Sequence, residues 1–153
     1  MKVTIECDEK EARLISLALD LYTRVGLGQF WYLSDCATVR KNLWADETNQ
    51  LQDNFDKAAL KLAETYTGHP GRGGYGIFHA KIGDDCKIAA HIHQQIRHEF
   101  FLQQKEEDKK ISGVDAYPAD IARIAHIPDP NFKIKIEKDE TASGETVDTT
   151  VAK

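Results

Sequence analysis

Gly68 to Arg97 reads GHPGRGGYGIFHAKIGDDCKIAAHIHQQIR: a glycine-rich loop, a short apolar run, then a helix carrying histidines. Gly68 is a stop signal for the helix before it, because glycine takes the left-handed C-cap conformation at no steric cost. Asp84 is placed to cap the helix after it, predicted from Asp85 to about Glu107. Along that helix Ile88, Ile92, Ile96 and Phe100 step by four, the spacing of one buried seam. Ile77 to Ile82 reads as strand or extended chain between loop and helix.

Working back toward the N-terminus, a helix is predicted from about Glu47 to Thr67, with Leu51, Phe55, Ala58, Ala59, Leu62 and Tyr66 as its face. Phe30, Trp31 and Tyr32 follow one another, so they cannot all point one way. They read as a short second helix wedged into the core. Asp8 and Glu11 have the spacing of a capping box and open a helix that runs to about Arg24. Its apolar stripe is Leu14, Leu17, Ala18, Leu21 and Val25, and Gly26 and Gly28 end it. Val3, Ile5 and Cys7 alternate with polar residues, the pattern of a strand with one buried face.

Toward the C-terminus, Gln103 to Lys110 is all polar and is expected to project into solvent. Val114 to Tyr117 reads as extended, and Pro118 opens a short helix from Ala119 to Ala125. Phe132, Ile134 and Ile136 alternate with Lys133 and Lys135, a second strand whose lysines suit Glu6 across a pair. The expected fold class is therefore α+β. It is a helix-rich single domain over residues 1–138, with a small sheet joining the N- and C-terminal strands. Residues 139–153 read as a disordered acidic tail.

The net charge of −5 over 153 residues argues against general nucleic-acid binding, which needs concentrated Lys and Arg. It leaves room for a local basic pocket. Cys7, Cys36 and Cys86 are odd in number and form no CxxC, which fits a reducing cytoplasm. The charged N-terminus carries no apolar leader, and no apolar run approaches the ~20 residues of a membrane-spanning helix. Cytoplasmic localisation follows as an expectation.

The loop HPGRGGYG is not a Walker motif, since no Lys-Ser/Thr follows, and it lacks the strand-turn-helix context of a dinucleotide fingerprint. It does present backbone N–H groups free of side-chain bulk around Arg72, which can wrap a phosphate. On the next helix His93 and Arg97 are i,i+4 neighbours, and His98 flanks the seam on the other side with His91 and Gln95. Arg97 supplies a permanent planar charge and the histidines supply switchable donors. The plainer alternatives are a loop that only turns a corner and a wetted helix face. His91 and His93 point roughly 200° apart on a helix and cannot chelate one ion together. Without HExxH, CxxC or GxSxG, no metal, cofactor or catalytic residue is assigned.

Three stretches, Asp20 to Phe30 (DLYTRVGLGQF), Gly74 to Ile77 (GYGI) and Gln95 to His98 (QIRH), together resemble a group of small proteins encoded by bacteriophages and prophages. The likeness covers roughly residues 12–125. Several phage proteins of this kind are anti-defence sponges, which sequester cyclic nucleotide-type immune signals without cleaving them. The resemblance implies non-enzymatic capture of a small anionic, nucleotide-type ligand in the host-cell cytoplasm, with a homo-oligomer as a common arrangement. Arg72, Lys81 and Arg97 would neutralise phosphate, with Gly73 and Gly74 as cradle and His93 and His98 as donors. Tyr75, Phe30 or Trp31 would stack on a base, and Arg24 and Gln29 would join from the first glycine turn. Two other readings stand beside it. One is a small hydrolase or nucleotide-modifying enzyme using His98 or His93. The other is an inhibitor that blocks a host defence protein with its acidic surface.

Overall fold

The computed structural model describes residues 5–45, 49–109, 115–116, 118–127, 132 and 134. In chain order these hold α1 (Glu9–Gly26), a 3-10 helix (Phe30–Asp35), α2 (Ala37–Leu43), α3 (Gln50–Thr67), α4 (Asp84–Leu102), a second 3-10 turn (Glu106–Asp108) and α5 (Ile121–Ala125).

No described residue lies in a strand, so the expected α+β class with a terminal sheet is corrected to a helical fold over the described residues. Ile5 is 72% exposed and Cys7 is exposed, neither in regular structure. Phe132 and Ile134 are likewise irregular, while Val3 and Ile136 lie outside the described residues. Alternation over three apolar positions is too short to specify a ladder, and an isolated two-stranded pair is marginal in water. Ile77–Ile82 is not a strand either. It makes two successive turns, with the His79 N–H donating to Gly76 O and the Ile82 N–H to His79 O, each at 2.9 Å. Asp115 and Ala116 also form a turn. The expected tail, 139–153, lies outside the described residues.

The helix signals fare better. Asp8 and Glu11 close a reciprocal capping box at 2.8 and 2.9 Å. Gly28 then turns the chain at φ +80°, where a Cβ would also strike Thr67. At α4 the cap differs from expectation. Gly83 is the N-cap, and Asp84 sits in the first turn, paired with Lys87 at 3.2 Å. There its charge faces the positive end of the helix dipole. α4 also stops at Leu102, short of Glu107.

α1 and α4 run antiparallel as the main helix pair, with Thr23 beside Cys86 and Ser16 beside His93. What α1 buries is Ala12, Ser16 and Thr23, small residues that let a neighbouring helix come close. The leucine stripe lies roughly 180° round the helix from them. Leu14 is 65% and Leu17 42% exposed, so the expected core stripe faces outward. On α4, Cys86, Ala89, Ala90 and Ile96 are buried, and of the expected seam only Ile96 is nearly inaccessible, at 2%. α5 covers the other side of α4 with Ile121 and Ala122.

The 3-10 helix Phe30–Asp35 is the joint of the fold. It touches α1, α2 and α3 at once. Phe30 to Ser34 are half-buried rather than wedged into the core, and Asp35 is exposed. Beside it, Leu27, Tyr75, Ile82 and Cys86 form a compact apolar cluster, with Ile77 packed against it.

Candidate functional site

The glycine-rich loop and the first glycine turn meet. The Tyr75 N–H donates to Leu27 O at 2.8 Å, and Gly74 lies so close to Leu27 O and Gln29 that a Cβ there would stand 3.0 Å from both. Tyr75 itself is buried, 6% exposed. Its hydroxyl donates to Thr67 O at 3.1 Å and accepts from Lys81 Nζ at 3.0 Å. The imidazole of His79 stacks on its ring with centroids 4.4 Å apart. Tyr75 and Lys81 are thus a pillar and its brace. The bond to the Tyr75 hydroxyl holds the Lys81 ammonium above its ordinary pKa. Gly73 packs over His69. Phe30 meets Tyr66 edge to face, with centroids 5.7 Å apart.

Arg24 ties this corner together. Its Nε pairs with Asp20 at 3.2 Å, its Nη1 donates to Gln29 Oε1 at 3.0 Å, and its guanidinium lies 4.4 Å over the Tyr32 ring. The i,i+4 spacing from Asp20 fixes the first contact, and the turn at Gly28 brings Gln29 round for the second.

The α4 candidates are elsewhere. Arg97 lies thirteen positions beyond Asp84, roughly 20 Å along the helix axis. His93 is turned into the α1 interface, with Nδ1 2.9 Å from both the hydroxyl and the carbonyl oxygen of Ser16 and Nε2 3.7 Å from Asp20. Burial holds its pKa below the ordinary imidazole value, against the pull of Asp20. Arg97 pairs with Asp115 at 2.6 Å, and His98 Nδ1 lies 2.7 Å from Asp115 O. The expected pocket between the Gly71–Gly76 loop and the His91–His98 face is therefore not formed. Arg97 and His98 anchor the segment after α4, and His93 seals α1 to α4.

A different cavity holds one of the predicted groups. At the junction of the 3-10 helix, α3 and the glycine-rich loop lies a polar space of about 310 Å³, lined by Trp31, Tyr32, Ser34 and Asp35, by Gln52 and Asp56, and by Arg72. Among the described residues Arg72 makes no ion pair or hydrogen bond. The other polar groups are held in place. Trp44 Nε1 donates to Gln52 Oε1 at 3.1 Å, and Gln52 Nε2 donates to Asp56 Oδ1 at 3.2 Å. Asp35 is paired with Arg40 at 2.9 Å. The rings of Trp31 and Tyr32 are 6.0 Å apart and tilted by 38°.

Tyr32, Ser34, Asp35, Gln52 and Asp56 were not expected as site residues. Gln52 and Asp56 do share one helix face at i,i+4, but that spacing recurs on any polar helix and singles nothing out. Only the fold shows that the aromatic run caps that face.

The fold and cavity define a helical scaffold, over its described residues, with a polar cleft at a three-way junction. No group of three or more metal-binding side chains occurs among the described residues, and no described helix is long and apolar enough to cross a membrane. No protein-family model, curated protein or solved structure matches the chain.

Proposed function

We propose that the chain is a non-catalytic binding protein that captures a small phosphorylated, nucleotide-type ligand in the cleft between Trp31, Gln52 and Arg72. The observation that carries this reading is the position of Arg72. A guanidinium delivered by the glycine-rich loop lines the same, mainly polar, cavity as Trp31 and Tyr32. A guanidinium fork suits a phosphate, and an aromatic face suits a base. Gln52 and Asp56 add fixed acceptors for an exocyclic amine or a ribose hydroxyl.

Charge narrows the ligand. Arg72 is opposed by the carboxylates of Asp35 and Asp56, one of them already neutralised by Arg40. Lys81 and Arg97 are committed to other partners. Such a cleft favours one phosphate group over a polyphosphate. Sequestration without cleavage is the anti-defence mode that the phage resemblance implies, and it needs no acid–base pair in the cleft.

Calorimetric titration with adenosine monophosphate, cyclic ADP-ribose isomers and cyclic di- and trinucleotides tests the reading. One of these binds, Arg72→Gln weakens it about tenfold or more, and heat denaturation of the complex releases the ligand unchanged. Absence of binding across the panel, or indifference to Arg72→Gln, defeats it. A converted product assigns turnover instead of capture.

A further inference from the structure

We infer that Arg40 of α2, which does not itself line the cleft, is a positioning residue that sets the cleft's affinity for an anion. The inference rests on the reading that Arg72 holds a phosphate there.

Arg40 holds the cleft wall from outside its lining. Its Nη2 pairs with Asp35 Oδ1 at 2.9 Å, and its Nε donates to Ser34 O at 3.4 Å. One guanidinium thus ties down two successive lining residues at the end of the 3-10 helix. Arg40 Cζ also stands 5.4 Å over the ring of Trp44, its i,i+4 neighbour. The Trp44 indole donates in turn to Gln52 Oε1 at 3.1 Å, and Gln52 Nε2 donates to Asp56 Oδ1 at 3.2 Å. An indole nitrogen only donates, so this contact fixes the sense of the Gln52 amide. Arg40 and Trp44 together connect the 3-10 helix to α3, the two elements that supply most of the lining.

Charge gives these contacts their consequence. The lining carries one cation, Arg72, against two carboxylates, Asp35 and Asp56. Alone, that set disfavours a phosphate. Arg40 supplies the second cation and brings the four groups to neutrality, so that the pull of Arg72 is not cancelled. A half-exposed ion pair adds little to folding stability, yet it changes the potential inside a cleft that it borders.

Calorimetric titration with adenosine monophosphate tests this, using the natural chain, Arg40→Gln, Asp35→Asn and the double variant. Arg40→Gln is expected to weaken binding roughly three- to tenfold, and by less at high salt. Asp35→Asn alone is expected to strengthen binding, because the Arg40 charge is then unopposed. The double variant is expected to return to within about twofold of the natural chain. A role in folding alone gives a different pattern, in which both single variants weaken binding and the double variant is no better than Arg40→Gln. That pattern overturns the inference. So does an Arg40→Gln variant that binds like the natural chain while Arg72→Gln does not, and this leaves the Arg72 reading standing. No binding of adenosine monophosphate by the natural chain also overturns it, and the remaining nucleotides then decide the Arg72 reading alone.

Discussion

His93 Nδ1 stands 2.9 Å from the Ser16 carbonyl oxygen, and its Nε2 faces Asp20 at 3.7 Å, inside the α1–α4 interface. In the tautomer that carries its proton on Nδ1, that proton goes to the Ser16 carbonyl, which can only accept, and Nε2 is bare toward Asp20. Protonating Nε2 would complete a pair with Asp20. Burial opposes that charge more strongly, and Arg24 and Arg97 oppose it too. The folded pKa is below the ordinary 6.5. In the window between the two values the unfolded chain binds more protons than the folded one, so stability rises with pH there. The His93 contribution is complete above about 6.5 and is lost as pH falls from there through the lower folded value. Urea midpoints measured from about pH 7.5 down to about pH 5 should fall less for His93→Gln than for the natural chain. Equal falls would show that His93 does not set the slope.

At one end of that helix pair Gly26 of α1 packs against Cys86 of α4. A Cβ at Gly26 would lie 2.7 Å from Cys86 Sγ. Alanine gains about 1 kcal/mol over glycine inside a helix, but here it must push aside a buried thiol that is itself bonded to Thr23 O at 3.5 Å. Overpacking of this kind costs about 1–3 kcal/mol, so Gly26→Ala should lower stability despite its better propensity. Adding Cys86→Ala should return most of the loss. A double-mutant cycle with no coupling between the two sites would refute the contact.

The same burial governs the thiols. Cys86 is buried and its pKa is raised by burial, while Cys7 is exposed and Cys36 intermediate. Reaction with a chromogenic disulfide should therefore label Cys7 first and Cys36 next. Cys86 should react only as fast as the chain unfolds. Prompt labelling of all three thiols would contradict this packing.

Much of the local structure could be read from the sequence because single residues dictate it. The Asp8–Glu11 box and the left-handed Gly68 cap each follow from geometry within a few residues. What could not be read depends on which neighbour a helix face meets. Leu14 and Leu17 mark a face by hydrophobicity, yet α4 packs on Ala12 and Ser16. Tyr75 was an apt aromatic for a base, but the loop folds its ring into the core. Arg72 reached the cleft while Arg97, equally suited chemically, went to Asp115.

Tyr75 joins the loop to α3. Tyr75→Phe removes a donor from Thr67 O and an acceptor from Lys81 Nζ, while keeping the ring on which His79 stacks. Loss of a buried hydrogen bond with the partner left behind costs about 1–3 kcal/mol. The urea midpoint should drop accordingly, with tryptophan emission in the folded baseline unchanged. A neutral Tyr75→Phe would mean that Thr67 O finds another donor at no cost.

The sharpest contrast lies within α1 itself. Ala12 is 8% exposed and Leu14 65%, two residues apart on one helix. Hydropathy alone assigns the core to leucine, so Leu14→Ala should be the damaging change. The packing predicts the reverse. Ala12→Leu forces extra carbons between α1 and its neighbour and should cost about 1–3 kcal/mol. Leu14→Ala removes side-chain atoms already in water and should shift stability by no more than about 0.5 kcal/mol. Chemical denaturation of the two variants side by side decides it. A Leu14→Ala loss exceeding that of Ala12→Leu would place the leucine stripe in a buried interface and turn α1 round.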